Sequence, residues 1–344
     1  MQVSETLSEL DLAYVAGLFD GEGYIHFSYK RHCIKRGITT AYYLALGSTQ
    51  SWIIEFLKTS FGGFTYDYEP GKYNENHKAR WRMYIWRVAG RACFRTLRLL
   101  EPYLRLKKEH ASLLLQHETV IGKSGPRTED EKAVLRELMV RSKSFVFSNK
   151  GHCNPPNIMN EVPQDILVGS ARMNPVNLAY VAGLFDGEGH IQFCFRNNYG
   201  QRNGQIAQFW ICLGSTQRSI VSYLKGLFGG FIYDVEPSKY NPAHATRRHM
   251  YTWKVGGRVA FKTLGLLRPY LRIKKPHVDL LVPHEELICK IGARTEAEKQ
   301  TLRNLTVTSK SYIFSGKGRS TPRHWRTQTR NSDPDVNFVM ESVI

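Results

Sequence analysis

The chain has 344 residues, and its 48 Lys and Arg against 30 Asp and Glu give a formal net charge of +18 and a pI near 9.6. That field draws in a polyanion, while 42% hydrophobic and 12% aromatic residues exclude a disordered basic tail. No apolar run approaches the roughly eighteen residues of a membrane span, the six cysteines form no Cys-x-x-Cys pair, and Met1–Glu5 lacks a charged-then-apolar export segment.

These features predict a soluble protein with reduced thiols, kept in the cytoplasm, the nucleoid or an organelle matrix. The first expected element is a helix capped by Ser8 or Asp11. Its residues Leu12, Val15, Ala16, Leu18 and Phe19 are apolar nearly all round, so it is buried, and Ala16 and Gly17 permit close approach to a partner helix. Gly21 and Gly23 are expected to end it. In the strand Tyr24–Lys30, Ile25 and Phe27 alternate with polar residues. Strands at Ala41–Leu46, Phe64–Glu69 and Trp81–Val88 follow, with a helix over Ser51–Ser60 between the first two. Helices resume at Arg91–Leu99 and Tyr103–Ile121, and Thr128-x-x-Glu131 is a capping box opening Thr128–Arg141.

After a stretch with Pro155, Pro156 and Pro163, the order begins again. LAYVAGLFDGEG occupies Leu12–Gly23 and, unchanged, Leu178–Gly189, where Asn174-Pro175 supplies a cap and first-turn proline. LGSTQ at Leu46–Gln50 returns at Leu213–Gln217, and FGGF at Phe61–Phe64 returns at Phe228–Phe231. A period this long means two copies of a whole domain. The division is a first domain over 1–150, a linker over 151–173, a second domain over 174–315 and a basic tail over 316–344. The fold class is α+β: two αββαββα domains related by a pseudo-twofold axis, each a four-stranded antiparallel saddle backed by helices. His110 and His117, like His277 and His284, stand two helical turns apart, about 10.5 Å. That is too far to share an ion, and they are expected to be packing residues.

Differences between the copies mark an exposed sheet face. Ile25/Ile191 and Phe27/Phe193 are kept, whereas Tyr24/His190, His26/Gln192, Ser28/Cys194 and Lys30/Arg196 differ. On the fourth strand Tyr84/Tyr251, Trp86/Trp253 and Val88/Val255 are kept, while Ile85 becomes Thr252, Arg87 becomes Lys254 and Trp81 stands against Arg248. Period-two alternation of this kind means one packed face and one free face. The free face is polar and basic, suited to reading unlike half-sites of duplex DNA in the major groove. Tyr24, His26, Ser28, Lys30, Ile85, Arg87, His190, Gln192, Arg196, Arg248, Thr252 and Lys254 are therefore the candidate DNA contacts.

Val15–Gly23 and Val181–Gly189 resemble the nine-residue signature of the LAGLIDADG homing endonucleases, with Val for the leading Leu and Gly-Glu for Ala-Asp. Helix, strand order and spacing in both copies are similar to that family's core, and two motifs in one chain resemble its monomeric branch. The resemblance implies that Glu22 and Glu188 are metal ligands, with the carbonyls of Gly21 and Gly187 as further ligands. Glu for Asp keeps the charge and the oxygen donors, which suits a hard divalent ion. Two or three Mg2+ are implied, with Mn2+ able to substitute. Asp20 and Asp186 take a local structural part. Lys107 and Lys274 match a family lysine that stabilises charge or orients water, against the alternative of a phosphate-backbone contact. Gln50 and Gln217 are candidates for the same water network.

The resemblance thus implies site-specific hydrolysis of both strands across the minor groove of a long asymmetric site, leaving 3′ overhangs. Two other functions compete with intron homing: an intron RNA maturase on the same scaffold, and a noncatalytic DNA-binding regulator. Facing acids kept in both copies favour the nuclease, because a pure binder gains nothing from them.

Overall fold

The computed structural model describes residues 7–33, 37–68, 82–147, 173–198, 204–235 and 249–314. The linker up to residue 172, the basic tail, Trp81 and Arg248 lie outside them. Helix α1 (Glu9–Glu22) opens with a reciprocal box in which the Ser8 hydroxyl accepts from the Asp11 N–H at 3.2 Å and the Asp11 carboxylate accepts from the Ser8 N–H at 3.1 Å. Both candidate caps thus act together. Strands β1 (Gly23–Cys33) and β2 (Gly37–Ser48), helix α2 (Ser51–Phe61), and strands β3 (Phe64–Tyr68) and β4 (Met83–Ala89) complete the saddle. Helices α3 (Arg91–Leu100), α4 (Lys108–Gln116), α5 (Glu118–Ile121) and α6 (Glu129–Phe147) follow.

The second half repeats this order. It has α7 (Pro175–Glu188), β5 (Gly189–Asn198), β6 (Gly204–Ser215), α8 (Arg218–Phe228), β7 (Phe231–Val235) and β8 (Met250–Gly256). Helices α9 (Gly257–Leu267), α10 (Lys275–Leu281), α11 (Glu285–Ile288) and α12 (Glu296–Phe314) close it, with a 3-10 turn at Val282–His284. The Asn174 side chain caps α7 by accepting from the Asn177 N–H at 2.7 Å, and Pro175 is in the first turn.

The strand order is β1-β2-β4-β3 in one sheet and β5-β6-β8-β7 in the other, all neighbours antiparallel. Ile25, Phe27, Leu44, Leu46, Trp86 and Val88 turn inward onto the helices and are buried with Ile54, Leu57, Phe94 and Leu97. The repeated FGGF is a turn that needs two glycines, since Gly62 and Gly63 have φ of 76° and 90°. The Gly62 carbonyl accepts the Trp86 indole N–H at 2.8 Å, and Gly229 does the same for Trp253. This bond seats the largest core side chain of each half.

Three expectations require correction. The helix expected over Tyr103–Ile121 does not begin until Lys108, because the N–H groups of residues 105–107 bond to the Asp20 carboxylate. It breaks again at His117 before α5. Gly21 does not end α1, which runs on to Glu22 with Gly23 as its C-cap. Helix α6 continues past Arg141 to Phe147.

His110 and His277 are the packing residues expected. Each is buried, its Nε2 2.7 Å from the hydroxyl of Ser142 or Ser309, tying α4 to α6 and α10 to α12. Cys93, Cys194, Cys212 and Cys289 are free thiols, and no described helix is long and apolar enough to cross a membrane.

Candidate active site

The halves meet through α1 and α7, whose residues Ala13–Asp20 and Leu178–Asp186 are buried. Gly17 and Gly183 make this possible: a Cβ at Gly17 would lie 1.9 Å from the Tyr180 carbonyl oxygen, and one at Gly183 the same distance from that of Tyr14. The backbones are in contact with no side chain between them. Such closeness carries the C-terminal ends of both helices to one place, and with them the two glutamates.

Each glutamate crosses the seam. The Glu188 Cγ would lie 3.1 Å from a Cβ at Gly21, and the Glu22 Cγ 3.2 Å from one at Gly187. Glycine in the repeated Asp-Gly-Glu thus makes room for the other half's glutamate. Solvent reaches both carboxylates, yet protein atoms crowd them and cut their hydration. Burial and then the charge of Glu188 push the Glu22 carboxyl up to about 7, against the pull of Lys274 and Lys107. Burial also raises Glu188, opposed by Lys107 and Lys274. Lys107 and Lys274 are lowered by burial and held up by the surrounding carboxylates. The four groups expected from the sequence are therefore gathered in one electrostatic cluster.

A divalent cation fits this cluster. Two carboxylates raised by crowding, Glu22 also by the charge of Glu188, are relieved by a positive charge between them. Carboxylate and carbonyl oxygens are hard donors of the kind Mg2+, Mn2+ and Ca2+ take. Among the described residues no group of three His, Cys, Asp or Glu gathers, so further positions would fall to water, backbone carbonyls or phosphate oxygens. The residues that would hold the ion are Glu22 and Glu188, with Gly21 and Gly187 beside them.

Asp20 and Asp186 do the structural work expected of them, and more. Asp20 is buried and accepts the N–H groups of Arg105, Leu106 and Lys107 at 2.7, 3.0 and 2.9 Å. It also accepts the hydroxyl of Tyr180, from the other half, at 2.8 Å. Asp186 does the same for Arg272, Ile273 and Lys274 at 2.7, 2.9 and 2.7 Å, and for Tyr14 at 2.8 Å. The Lys107 and Lys274 ammonium groups donate to the Asp20 and Asp186 carbonyls. Arginines cross the seam too. Arg105 donates to the Asn177 side chain at 2.8 Å and lies over Tyr180 and Tyr223, while Arg272 pairs with Asp11 and lies over Tyr14 and Phe56. Of these cross-seam side chains sequence had singled out only Asp11, Asp20 and Asp186, and none of them for a bond to the other half, although Tyr14 and Tyr180 stand inside the repeated twelve-mer.

The outward sheet faces carry most of the candidate DNA contacts as connected rows. Tyr24 hydrogen-bonds His26, which hydrogen-bonds Ser28, each at 3.2 Å. His26 stacks on Tyr43 with centroids 4.5 Å apart, and the Arg87 guanidinium lies 3.4 Å from the Tyr43 centroid. In the second half His190 bonds Gln192 at 3.1 Å, and Lys254 lies 4.2 Å over Trp210. Arg196 is exposed and Ile85 half-buried. Thr252 departs from expectation. It is buried, only 6% exposed, and offers a base little of its surface. Lys30 lies on β1, its side chain outside the described part. Sequence reasoning missed Tyr43 and Trp210, the aromatic floors under the cations; they occupy equivalent positions of β2 and β6, Tyr43 beside buried Leu44 and Trp210 between buried Phe209 and Ile211. Gln50 and Gln217 stand at the entries of α2 and α8, where their N–H groups bond Ser48 and Ser215 at 3.1 and 3.0 Å.

No protein-family model and no curated protein matches the sequence. Among solved structures the chain is similar to meganuclease I-SmaMI bound to uncleavable DNA, with 14% identity and a TM-score of 0.54 over 88% of this chain and 99% of that one. It is similar to the LAGLIDADG homing endonuclease I-LtrWI bound to target DNA, with 15% identity and a TM-score of 0.56 over 87% and 96%. A third likeness is to the LAGLIDADG meganuclease I-AabMI on uncleaved DNA, with 13% identity and a TM-score of 0.54 over 90% and 99%. The fold is the two-saddle fold of those proteins.

Proposed function

We propose that this chain is a site-specific double-strand DNA endonuclease of the LAGLIDADG type, acting as a monomer on a long asymmetric site. The observation that carries the reading is the meeting of Glu22 and Glu188 at a seam that puts a lysine beside each, between two saddles whose outward rows bear Arg87 and Lys254. The saddles read the major groove on either side, and the seam faces the minor groove between them.

A phosphodiester resists attack because its charge repels nucleophiles and water is a weak one. Glu22 and Glu188 would hold divalent ions, Mg2+ in this reading, which would activate water as the nucleophile and neutralise phosphate charge. Lys107 and Lys274 place positive charge beside the scissile groups and orient water there. Water gives up a proton as its oxygen joins phosphorus, the bond to the 3′ oxygen breaks, and the 3′ oxygen takes up a proton in turn. Cutting both strands across the minor groove leaves 3′ overhangs.

Glu22→Gln and Glu188→Gln are expected to abolish double-strand cleavage while duplex binding survives. Selection of cut sequences from a randomised duplex library with Mg2+, and of bound sequences with Ca2+, supplies the target for the assay. Full cleavage by either variant would defeat the assignment.

A further inference from the structure

We propose that Tyr14 and Tyr180 are positioning residues, each setting from its own half the lysine of the other half: Tyr180 acts on Lys107 and Tyr14 on Lys274. This deepens the nuclease reading and rests on it for its cleavage arm. The carboxylates in between carry the link. Oδ2 of Asp20 accepts Arg105 N, Leu106 N and the Tyr180 hydroxyl, and Oδ1 accepts Lys107 N. Three of those donors come from the lysine's own loop, and the fourth comes from across the seam. Asp20 is 3% exposed, so water has little access to replace a lost donor, and a buried carboxylate oxygen left short of one shifts its remaining partners. Burial and the neighbouring carboxylate hold both phenols far above the ordinary tyrosine range, so they remain donors at every working pH.

The placement of the glutamates gives this link its consequence. Lys107 donates to the Asp20 carbonyl, and the next residue, Gly21, is the one against which Glu188 rests. Lys107 and Glu188 therefore flank the same stretch of α1, while Tyr180 and Glu188 both belong to α7. A displacement of α7 along α1 moves Glu188 and pulls on the Lys107 loop together. The mirror set is Tyr14 and Glu22 on α1, acting with Lys274 beside Gly187. Each composite centre draws its glutamate and its phenol from one half and its lysine from the other. Each phenol thus serves one centre, and so one strand.

The test uses Tyr180→Phe and Tyr14→Phe in the full chain, each keeping the ring and removing one hydroxyl, with thermal melts to establish folding. On a target duplex labelled separately in each strand, saturated with protein and Mg2+, Y180F is expected to slow nicking of one strand about tenfold, the effect of one buried hydrogen bond on a barrier. Y14F slows the opposite strand. Without metal or DNA, amide hydrogen exchange is expected to quicken at residues 105–107 in Y180F and at 272–274 in Y14F, each leaving the other loop protected. Equal slowing of both strands by each variant, or unchanged exchange at 105–107 in Y180F, would overturn the proposal. If the wild-type protein cuts no duplex, the nuclease reading falls, and exchange alone decides whether the phenols govern the lysine loops.

Discussion

Glu22 sits where its ionised form is disfavoured, raised to about 7 by burial and by Glu188. Its folded pKa exceeds its unfolded one, so its ionisation costs stability progressively as pH rises through about 7. Without metal, Glu22→Gln is therefore expected to raise the melting temperature at pH 8 and to leave it unchanged at pH 4. Solvent reaches this carboxylate, so screening reduces the gain to roughly 1 kcal/mol, about 1–2 °C for a protein of this size. Saturating Mg2+ should reverse the order, because only the wild type gains the ion's binding energy. A melting curve indifferent to the substitution at pH 8 would show that the carboxylates do not strain each other. The glutamates were legible from the motif. The phenols that cross to Asp20 and Asp186 were not, since a tyrosine on a buried helix looks like ordinary core until its partner is known.

Helix pairs carry the next set of consequences. Adding a methyl group at Gly17 would put carbon 1.9 Å from the Tyr180 carbonyl. Gly17→Ala is expected to force α1 from α7 at a cost of about 3 kcal/mol or more, measurable by chemical denaturation, and to lose cleavage through displaced glutamates. A change below about 0.5 kcal/mol would mean the seam is looser than these contacts. His110 and His277 tie paired helices within each half, both held down to about 4 by burial first, with Lys107 acting on one and His190 and Lys274 on the other. Their folded pKa lies below the unfolded 6.5, so the stability they secure is present above pH 6.5 and lost as pH falls through 4. For groups this buried the loss is of order 3 kcal/mol each. The double variant His110→Gln/His277→Gln should show a flatter melting profile between pH 7 and 4; an unchanged slope would count against this source of acid lability. Most elements could be read from periodicity and caps. The helix expected from Tyr103 could not, because its first turn is surrendered to Asp20, some eighty residues earlier in the chain. Tyr43 and Trp210 escaped notice for a related reason: each becomes a floor only when β4 or β8 lays a cation over it.

For the whole molecule, duplication made the architecture legible and charge pointed to the partner. A net charge of +18 predicts DNA affinity that falls steeply with salt. Raising the concentration from 50 to 200 mM should weaken binding about a thousandfold or more if six or more phosphates are neutralised. A nearly flat salt series, measured with Ca2+ in place of Mg2+, would leave the basic surface without that partner.

Because identical twelve-residue faces line both sides of the junction, every bond made there by one side has a counterpart offered by the other. The joint behaves as a standard coupling: it constrains how the parts meet and is indifferent to what each carries on its far surface. If the proposed function holds, recombining one part with another bearing the same face would swap one flank of the recognised sequence and leave the cutting chemistry where it is.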